Sequence, residues 1–100
     1  MPAYLEVWGE EGRALVALEG DRVTVGRSSS NDVPLREDAT ASRRHAVLER
    51  LAAGWSIADV GSTNGTFVNG ELLDRPRPLY AGDEIVIGET RLVYWSERPQ

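Results

Sequence analysis

The sequence predicts an all-β domain, a sandwich of two sheets, and three observations support this. Short runs rich in β-branched and aromatic residues recur at close spacing along the 100 residues, and many of them alternate apolar and polar side chains. That alternation is the period of strands that bury one face. Turn-forming residues separate the runs, and no stretch of twelve or more residues shows a convincing helical period. Many short strands with frequent turns are typical of a β-sandwich.

Each predicted strand is an apolar run bounded by turn residues. In the first run Leu5 and Val7 alternate with Tyr4, Glu6 and Trp8, which indicates one buried and one solvent-facing side. The predicted strands, in chain order, are AYLEVW (3–8), ALVAL (14–18), RVTV (22–25), HAVLERL (45–51), WSIADV (55–60), EIVIG (84–88) and TRLVYW (90–95).

The segments between the strands hold two informative patterns. Asn-Gly, the strongest short hairpin signal, occurs at 64–65 and again at 69–70. Prolines at 76 and 78 in ELLDRPRPLY favour an extended surface connection without a functional role, since proline is poorly tolerated in a central strand.

Length and composition predict a single domain over residues 1–100, with a core from about 3 to 95 and ends that fray. No apolar run approaches the roughly 18 to 20 residues that span a bilayer, so no membrane partner is expected. The chain has no cysteine, and MPAYLEVW lacks the basic start and apolar stretch of a signal peptide. We therefore expect a cytoplasmic location.

The charge distribution predicts where an anion would bind. A net charge of -5 argues against nucleic acid as a partner, because that binding usually needs a basic surface. Residues 26–50 nevertheless carry five arginines against four acidic residues, whereas the remainder carries six against twelve. An anion site is therefore expected within this middle window.

A hydrolase is the first alternative, because Ser42, His45 and Asp59 are the residue types of a catalytic triad. The sequence has no G-x-S-x-G elbow, and a serine and a histidine three apart on a strand point to opposite faces. One histidine and no cysteine leave only carboxylates for a metal, and no P-loop lysine is present. We expect neither catalysis nor a metal or other cofactor.

Three turns instead carry groups that bind an oxyanion. GRSSSND offers Arg27 and three hydroxyls, TASRRHA offers Ser42 beside two arginines, and GSTNG offers Ser62, Thr63 and Asn64. A phosphate monoester carries about -1.5 to -2 charge and three strong acceptor oxygens, so it favours guanidinium, hydroxyl and amide donors together.

The same turns carry a recognisable pattern. GR at 26–27, S-x-x-H at 42–45 and D-x-G-S-T-N-G-T-F-V-N-G at 59–70 together resemble the forkhead-associated (FHA) domain, from about Val23 to Tyr94. The resemblance implies a β-sandwich of about eleven mostly antiparallel strands with binding loops at one end. It implies a non-catalytic module that recognises phosphothreonine in partner proteins, among them Ser/Thr kinases or their substrates.

The resemblance also implies roles for individual residues. Arg27 and Ser42 would hold the phosphate, and Arg43 would add a second cation. Thr63 would shape the pocket, and Asn64 would hydrogen-bond the peptide backbone.

Further positions are expected to support the site or to extend it. Gly26, His45 and Gly65 are expected to be structural, with the histidine bracing the loops. Additional ligand contacts are expected from Ser28, Thr40 and Ser62, while Arg44 has no predicted role. Thr40 stands where some relatives select the peptide side chain three places after the phosphothreonine.

Two questions stay open at this level. The acidic pair Glu37 and Asp38 suggests, as a hypothesis, basic residues beside the phosphothreonine. The alternative function on the same fold is a phospho-independent protein–protein interaction or oligomerisation module.

Overall fold

Eleven β-strands and no helix make up the part of the chain that the computed structural model describes, residues 2–10 and 12–100. The expected all-β class and strand number are confirmed. The strands are β1 (Ala3–Gly9), β2 (Gly12–Leu18), β3 (Arg22–Gly26), β4 (Val33–Pro34), β5 (Ala46–Leu51), β6 (Gly54–Asp59), β7 (Thr66–Val68), β8 (Glu71–Leu72), β9 (Arg77–Pro78), β10 (Glu84–Ile87) and β11 (Thr90–Trp95). Over these residues there is accordingly no helix of the length and hydropathy needed to span a membrane.

The strands form two sheets. One has six strands in the order β2-β1-β11-β10-β7-β8, and the other has five in the order β4-β3-β5-β6-β9. Every pairing is antiparallel except the short β3–β4 pair, in which Val25 lies opposite Val33. The prediction of mostly antiparallel strands is confirmed.

The core lies between the two sheets and is built by the inward residues of each strand. The fully buried aliphatic side chains include Leu5, Ile85 and Leu92 from the six-stranded sheet and Leu48 and Ile57 from the five-stranded sheet. Burial of such a side chain contributes about 1.5–3 kcal/mol. The apolar positions predicted from the alternation therefore hold the two sheets together.

One of the two predicted Asn-Gly hairpins is correct. Asn69 and Gly70 both adopt positive φ, 51° and 83°, and Val68 pairs with Glu71 across them. The hairpin prediction at 64–65 is wrong, because β6 and β7 belong to different sheets. That segment crosses from one sheet to the other at one end of the sandwich.

The proline-containing segment forms one edge of each sheet. β8 and β9, each of two residues, are the last strands of the six-stranded and five-stranded sheets, and Pro78 lies in β9. A proline cannot donate to a neighbouring strand, so it is compatible with an edge. These short strands were not predicted individually, because two residues carry no periodicity.

Candidate functional site

Three segments converge at the end of the sandwich where β3 and β6 finish and β5 and β7 begin: 27–32, 35–45 and 60–65. The first lies directly against the second, since Arg27 donates its N–H to the Ser42 carbonyl (2.9 Å) and Ser28 donates to the Arg43 carbonyl (3.2 Å). A Cβ built on Gly26 would lie 2.3 Å from the Arg43 carbonyl oxygen. Only glycine permits this approach.

His45 joins the second segment to the third. Its side chain is fully buried, and its Nδ1 accepts the backbone N–H of Ser42 at 3.0 Å. Because Nδ1 accepts, Nε2 must carry the proton of the neutral ring and donate it to the Gly65 carbonyl, 2.8 Å away. Both ring nitrogens are therefore occupied by backbone groups.

This arrangement is incompatible with the triad alternative. The hydroxyl of Ser42 contacts the backbone N–H of Thr63 (3.0 Å) instead of the His45 ring, and Asp59 bonds to residues of its own loop. A nucleophilic serine needs a base within hydrogen-bonding reach of its oxygen. His45 is therefore not placed to activate Ser42.

The hydroxyl of Ser42 is oriented by its contact with Thr63. Since its oxygen accepts the Thr63 N–H, its own proton has no acceptor within residues 2–10 and 12–100. Asn64, the next residue of the third segment, donates from Nδ2 to the Thr40 carbonyl at 2.9 Å. Ser42, Thr63 and Asn64 are thus brought together from two segments, as predicted.

Asp59 organises the third segment, a role that the sequence analysis missed. Its Oδ1 accepts the N–H groups of Gly61 and Ser62, both at 2.8 Å, and its Oδ2 accepts the hydroxyls of Ser62 (2.5 Å) and Thr66 (2.7 Å). Burial by itself raises the pKa of Asp59, but the hydrogen bonds from Ser62, Thr66 and Gly61 outweigh it and lower the pKa below its usual value. The carboxylate is therefore ionised at neutral pH and accepts hydrogen bonds only.

The hydroxyl of Ser62, from which a ligand contact was expected, is directed at the protein instead. Its hydroxyl donates to Asp59 and accepts the N–H of Gly65 at 2.9 Å, so in this arrangement its proton is not available to a ligand. Gly65 has φ of 89°, and a Cβ there would lie 2.5 Å from Leu72 Cδ1, which is consistent with its expected structural role.

The arginines of this end carry uncompensated charge. Five arginines elsewhere form ion pairs with carboxylates: Arg13, Arg50, Arg75, Arg77 and Arg91. Within residues 2–10 and 12–100, neither Arg27 nor Arg43 nor Arg44 has a carboxylate within ion-pair distance. Arg27 is half-buried and donates to the Ala39 carbonyl (3.4 Å), whereas Arg43 and Arg44 are exposed.

The two neighbouring arginines differ in their surroundings. Arg44 lines a cavity of about 270 Å³ together with residues of the five-stranded sheet and of the first and third segments: Arg22, Thr24, Ala46, Val47, Asn31 and Val60. Arg43 does not line this cavity, and its carbonyl accepts hydrogen bonds from Ser28 and from Asn31. Arg44 therefore borders a cavity formed mostly by residues of the five-stranded sheet, and Arg43 does not.

Asn31 is a second residue that the sequence analysis missed. It is buried, and its Nδ2 donates to the carbonyls of Ser28 (2.9 Å) and Arg43 (2.7 Å), which joins the first two segments. An asparagine among serines is typical of any turn, so nothing in the sequence distinguishes it. Ser28 Oγ lies 2.9 Å from Ser30 Oγ.

Thr40 and Asp38 differ from what the sequence suggested. The hydroxyl of Thr40 donates to Asp38 Oδ1 at 2.7 Å, so it faces the protein. Asp38 is only 7% exposed, which contradicts the hypothesis that it attracts basic peptide flanks, although Glu37 is exposed.

Fold and site together define a small β-sandwich module with an electropositive cluster of polar loops at one end. The sequence model of the FHA domain family matches residues 23–88, and the chain belongs to this family. A similar curated protein is the oxoglutarate dehydrogenase inhibitor of Corynebacterium diphtheriae, 42% identical over 86% of this chain and 59% of that protein. The chain thus spans about three fifths of the length of that relative.

Solved structures show the same fold. Mycobacterium tuberculosis EmbR, determined in complex with a low affinity phosphopeptide, superposes with a TM-score of 0.89 at 27% identity, covering 99% of this chain and 25% of EmbR. A structure from a study of phosphothreonine-dependent FHA domain interactions has a TM-score of 0.86 at 26% identity and covers 100% of both chains.

Proposed function

We propose that residues 1–100 form one phosphothreonine-binding domain that docks proteins modified by Ser/Thr kinases and does not catalyse a reaction. The observation that carries this proposal is the state of Ser42. Its N–H is bound by His45 and its oxygen accepts from Thr63, so its hydroxyl proton has no acceptor among the described residues, and the backbones of Arg27 and Arg43 lie beside it. The solved phosphopeptide complex of EmbR supports the same ligand class.

The phosphate would be held by charge-assisted hydrogen bonds. Arg27 and Arg43 supply guanidinium groups, and Ser42 supplies a hydroxyl donor. Such bonds are roughly twice as strong as neutral ones. Because neither arginine pairs with a carboxylate in the described residues, no internal ion pair has to be broken when the phosphate binds.

The peptide around the phosphothreonine would contact the third segment. Thr63 is exposed beside Ser42 and would form part of the pocket wall, and Ser28 would add a contact from the first segment. Among the described residues, Asn64 Oδ1 and one side-chain N–H have no partner besides the bond to Thr40, which suits a peptide backbone with its own donor and acceptor. Gly26, His45 and Gly65 would hold these segments in place before the ligand arrives, which lowers the entropy cost of binding.

A phosphothreonine peptide selected from a degenerate library tests the proposal by calorimetry against its unphosphorylated twin. The expected result is saturable binding of the phosphorylated peptide only. Equal affinity for the two peptides would overturn the proposal. A phosphoserine version should bind about 10- to 200-fold more weakly, if a niche for the threonine methyl group contributes about 1–3 kcal/mol.

Self-association independent of phosphate is the second candidate function. It is favoured by a groove of about 540 Å³ at the opposite end of the sandwich, where Tyr80 and Leu51 are 70% and 61% exposed. A concentration-dependent dimer in sedimentation, without affinity for any phosphopeptide of the library, would support it.

A further inference from the structure

Asp38 is a buried carboxylate with four hydrogen-bond donors. Its Oδ1 accepts the N–H and the hydroxyl of Thr40, at 3.1 and 2.7 Å. Its Oδ2 accepts the N–H of Glu89 (2.9 Å) and the hydroxyl of Thr90 (2.7 Å). One oxygen therefore holds the second site segment, and the other holds the turn between β10 and β11 of the six-stranded sheet.

Thr40 continues this connection to the third segment. Its N–H and hydroxyl bind Asp38, while its carbonyl accepts from Asn64 Nδ2 at 2.9 Å. Within the part of the chain that the structure describes, this is the one hydrogen bond that the Asn64 side chain makes. An exposed asparagine without it would rotate about its side-chain bonds.

The turn at Gly88 is shaped to admit this carboxylate. Gly88 has φ of 60°, and a Cβ on it would lie 2.6 and 2.7 Å from the two oxygens of Asp38 and 2.7 Å from Thr40 Oγ1. Burial alone raises the pKa of Asp38, but the hydrogen bonds from Thr40, Thr90 and Glu89 lower it below its usual value. Asp38 thus remains an ionised acceptor at neutral pH.

We infer that Asp38 is a positioning residue for peptide binding: by fixing Thr40 against the six-stranded sheet, it sets the orientation in which Asn64 is presented. The link itself is a property of the free domain, whereas its effect on affinity rests on the proposed function. Asp38 does not face the ligand, since it is buried and all four donors come from the protein.

The link is tested first without a ligand, by NMR of the Asn64 side-chain NH2 group. Asp38→Asn replaces one acceptor oxygen by an NH2 group that faces donors, so Thr40 should no longer be fixed and Asn64 should move more freely. The two protons of the Asn64 NH2 group should then lose their separate chemical shifts, and the heteronuclear NOE of this group should fall. Thr40→Val, on an exposed residue, should produce a weaker change in the same direction. Asn64 signals that stay unchanged in both variants, in a domain shown to be folded, would overturn the inference.

Affinity is tested by a double-mutant cycle with the selected phosphothreonine peptide. In the wild-type background Asp38→Asn should weaken binding by about tenfold, and in an Asn64→Ala background by less than about twofold, because the effect passes through Asn64. In an Arg43→Ala background the tenfold loss should persist, because the exposed Arg43 side chain has no hydrogen bond to the third segment in the described residues. Equal losses in all three backgrounds would show a general effect on the fold and would overturn the inference.

Asp83→Asn is the matched control. Asp83 also accepts a backbone N–H, from Tyr80 at 2.8 Å, and a side-chain donor, Asn69 at 3.0 Å, but it lies at the other end of the sandwich. It should change stability without changing affinity. A wild-type domain that binds no phosphopeptide would refute the proposed function, and the NMR result would still decide whether Asp38 positions Asn64.

Discussion

The Nδ1 atom of His45 accepts the backbone N–H of Ser42 at 3.0 Å, so the chain's single histidine holds the residue that it first seemed suited to activate. The same ring donates to Gly65, twenty positions away. The buried His45 ring thus connects two site segments, 35–45 and 60–65, by hydrogen bonds.

Removing the His45 side chain should lower the stability of the domain. We expect His45→Ala to lower the free energy of unfolding by about 2–4 kcal/mol, because it leaves a cavity and two backbone groups without their partner. For a domain of this size each kcal/mol corresponds to about 4–8 °C in melting temperature. Thermal unfolding followed by circular dichroism measures the shift, with the exposed neighbour Arg44→Ala as control. Equal melting temperatures for the two variants would contradict this role.

Removing a phosphate contact should cost affinity instead. Arg27→Ala and Ser42→Ala should each weaken binding of a phosphothreonine peptide by about 10- to 100-fold, since a hydrogen bond to a charged group contributes about 1.5–3 kcal/mol. Arg75→Ala, which breaks only an exposed ion pair with Asp74, is the matched control and should leave the calorimetric affinity unchanged. Losses of the same size in all three variants would argue against a specific phosphate site.

Adjacent arginines should behave differently. Arg43→Ala should weaken phosphopeptide binding by about tenfold and make it less dependent on salt, because it removes a cation from the converging segments. Arg44→Ala should have a smaller effect, since Arg44 borders a cavity formed mostly by residues of the five-stranded sheet. Titrations at two salt concentrations compare the variants. A larger effect at Arg44 would move the site toward that cavity.

Low pH should reduce the stability that Asp59 contributes through its hydrogen bonds to the third segment. The pKa of Asp59 is lower in the folded protein than its ordinary value of 3.8, so its contribution to stability is complete above about pH 4 and is lost as pH falls through the folded pKa. Asp59→Asn should therefore reduce the free energy of unfolding at pH 7, and its difference from wild type should shrink below about pH 4. Denaturant unfolding across this range measures both, and a difference independent of pH would exclude the carboxylate as the cause.

Two glycines offer a matched test of close packing. Gly26→Ala places a Cβ 2.3 Å from the Arg43 carbonyl oxygen, so it should lower both the melting temperature and the phosphopeptide affinity. Gly9→Ala meets no atom of the described residues within 4 Å and should be nearly neutral. Unimpaired binding by Gly26→Ala would mean that the first two segments can separate without loss of the site.

The longer strands and the residue types of the site could be predicted from local patterns in the chain. Alternation at positions such as Leu5 and Val7 records which face of a strand is buried, and the hairpin at Asn69-Gly70 depends only on local backbone preference. The motif GSTNG and the excess of arginines over acidic residues in 26–50 likewise indicated which loops would bind an anion. Residues with such local signals could be predicted without coordinates.

The way in which those residues are held depends on contacts between distant parts of the chain. The bonds of Asp38 to Glu89 and Thr90, of Asn64 to Thr40 and of Asn31 to Arg43 join positions 12 to 52 residues apart. These contacts form because loops from both sheets lie together at one end of the sandwich. The periodicity of a single strand carries no information about which loops will be neighbours. Asn64-Gly65 has the composition of a hairpin turn, but it connects strands of two different sheets. This connection places the segment that carries Asn64 beside Ser42.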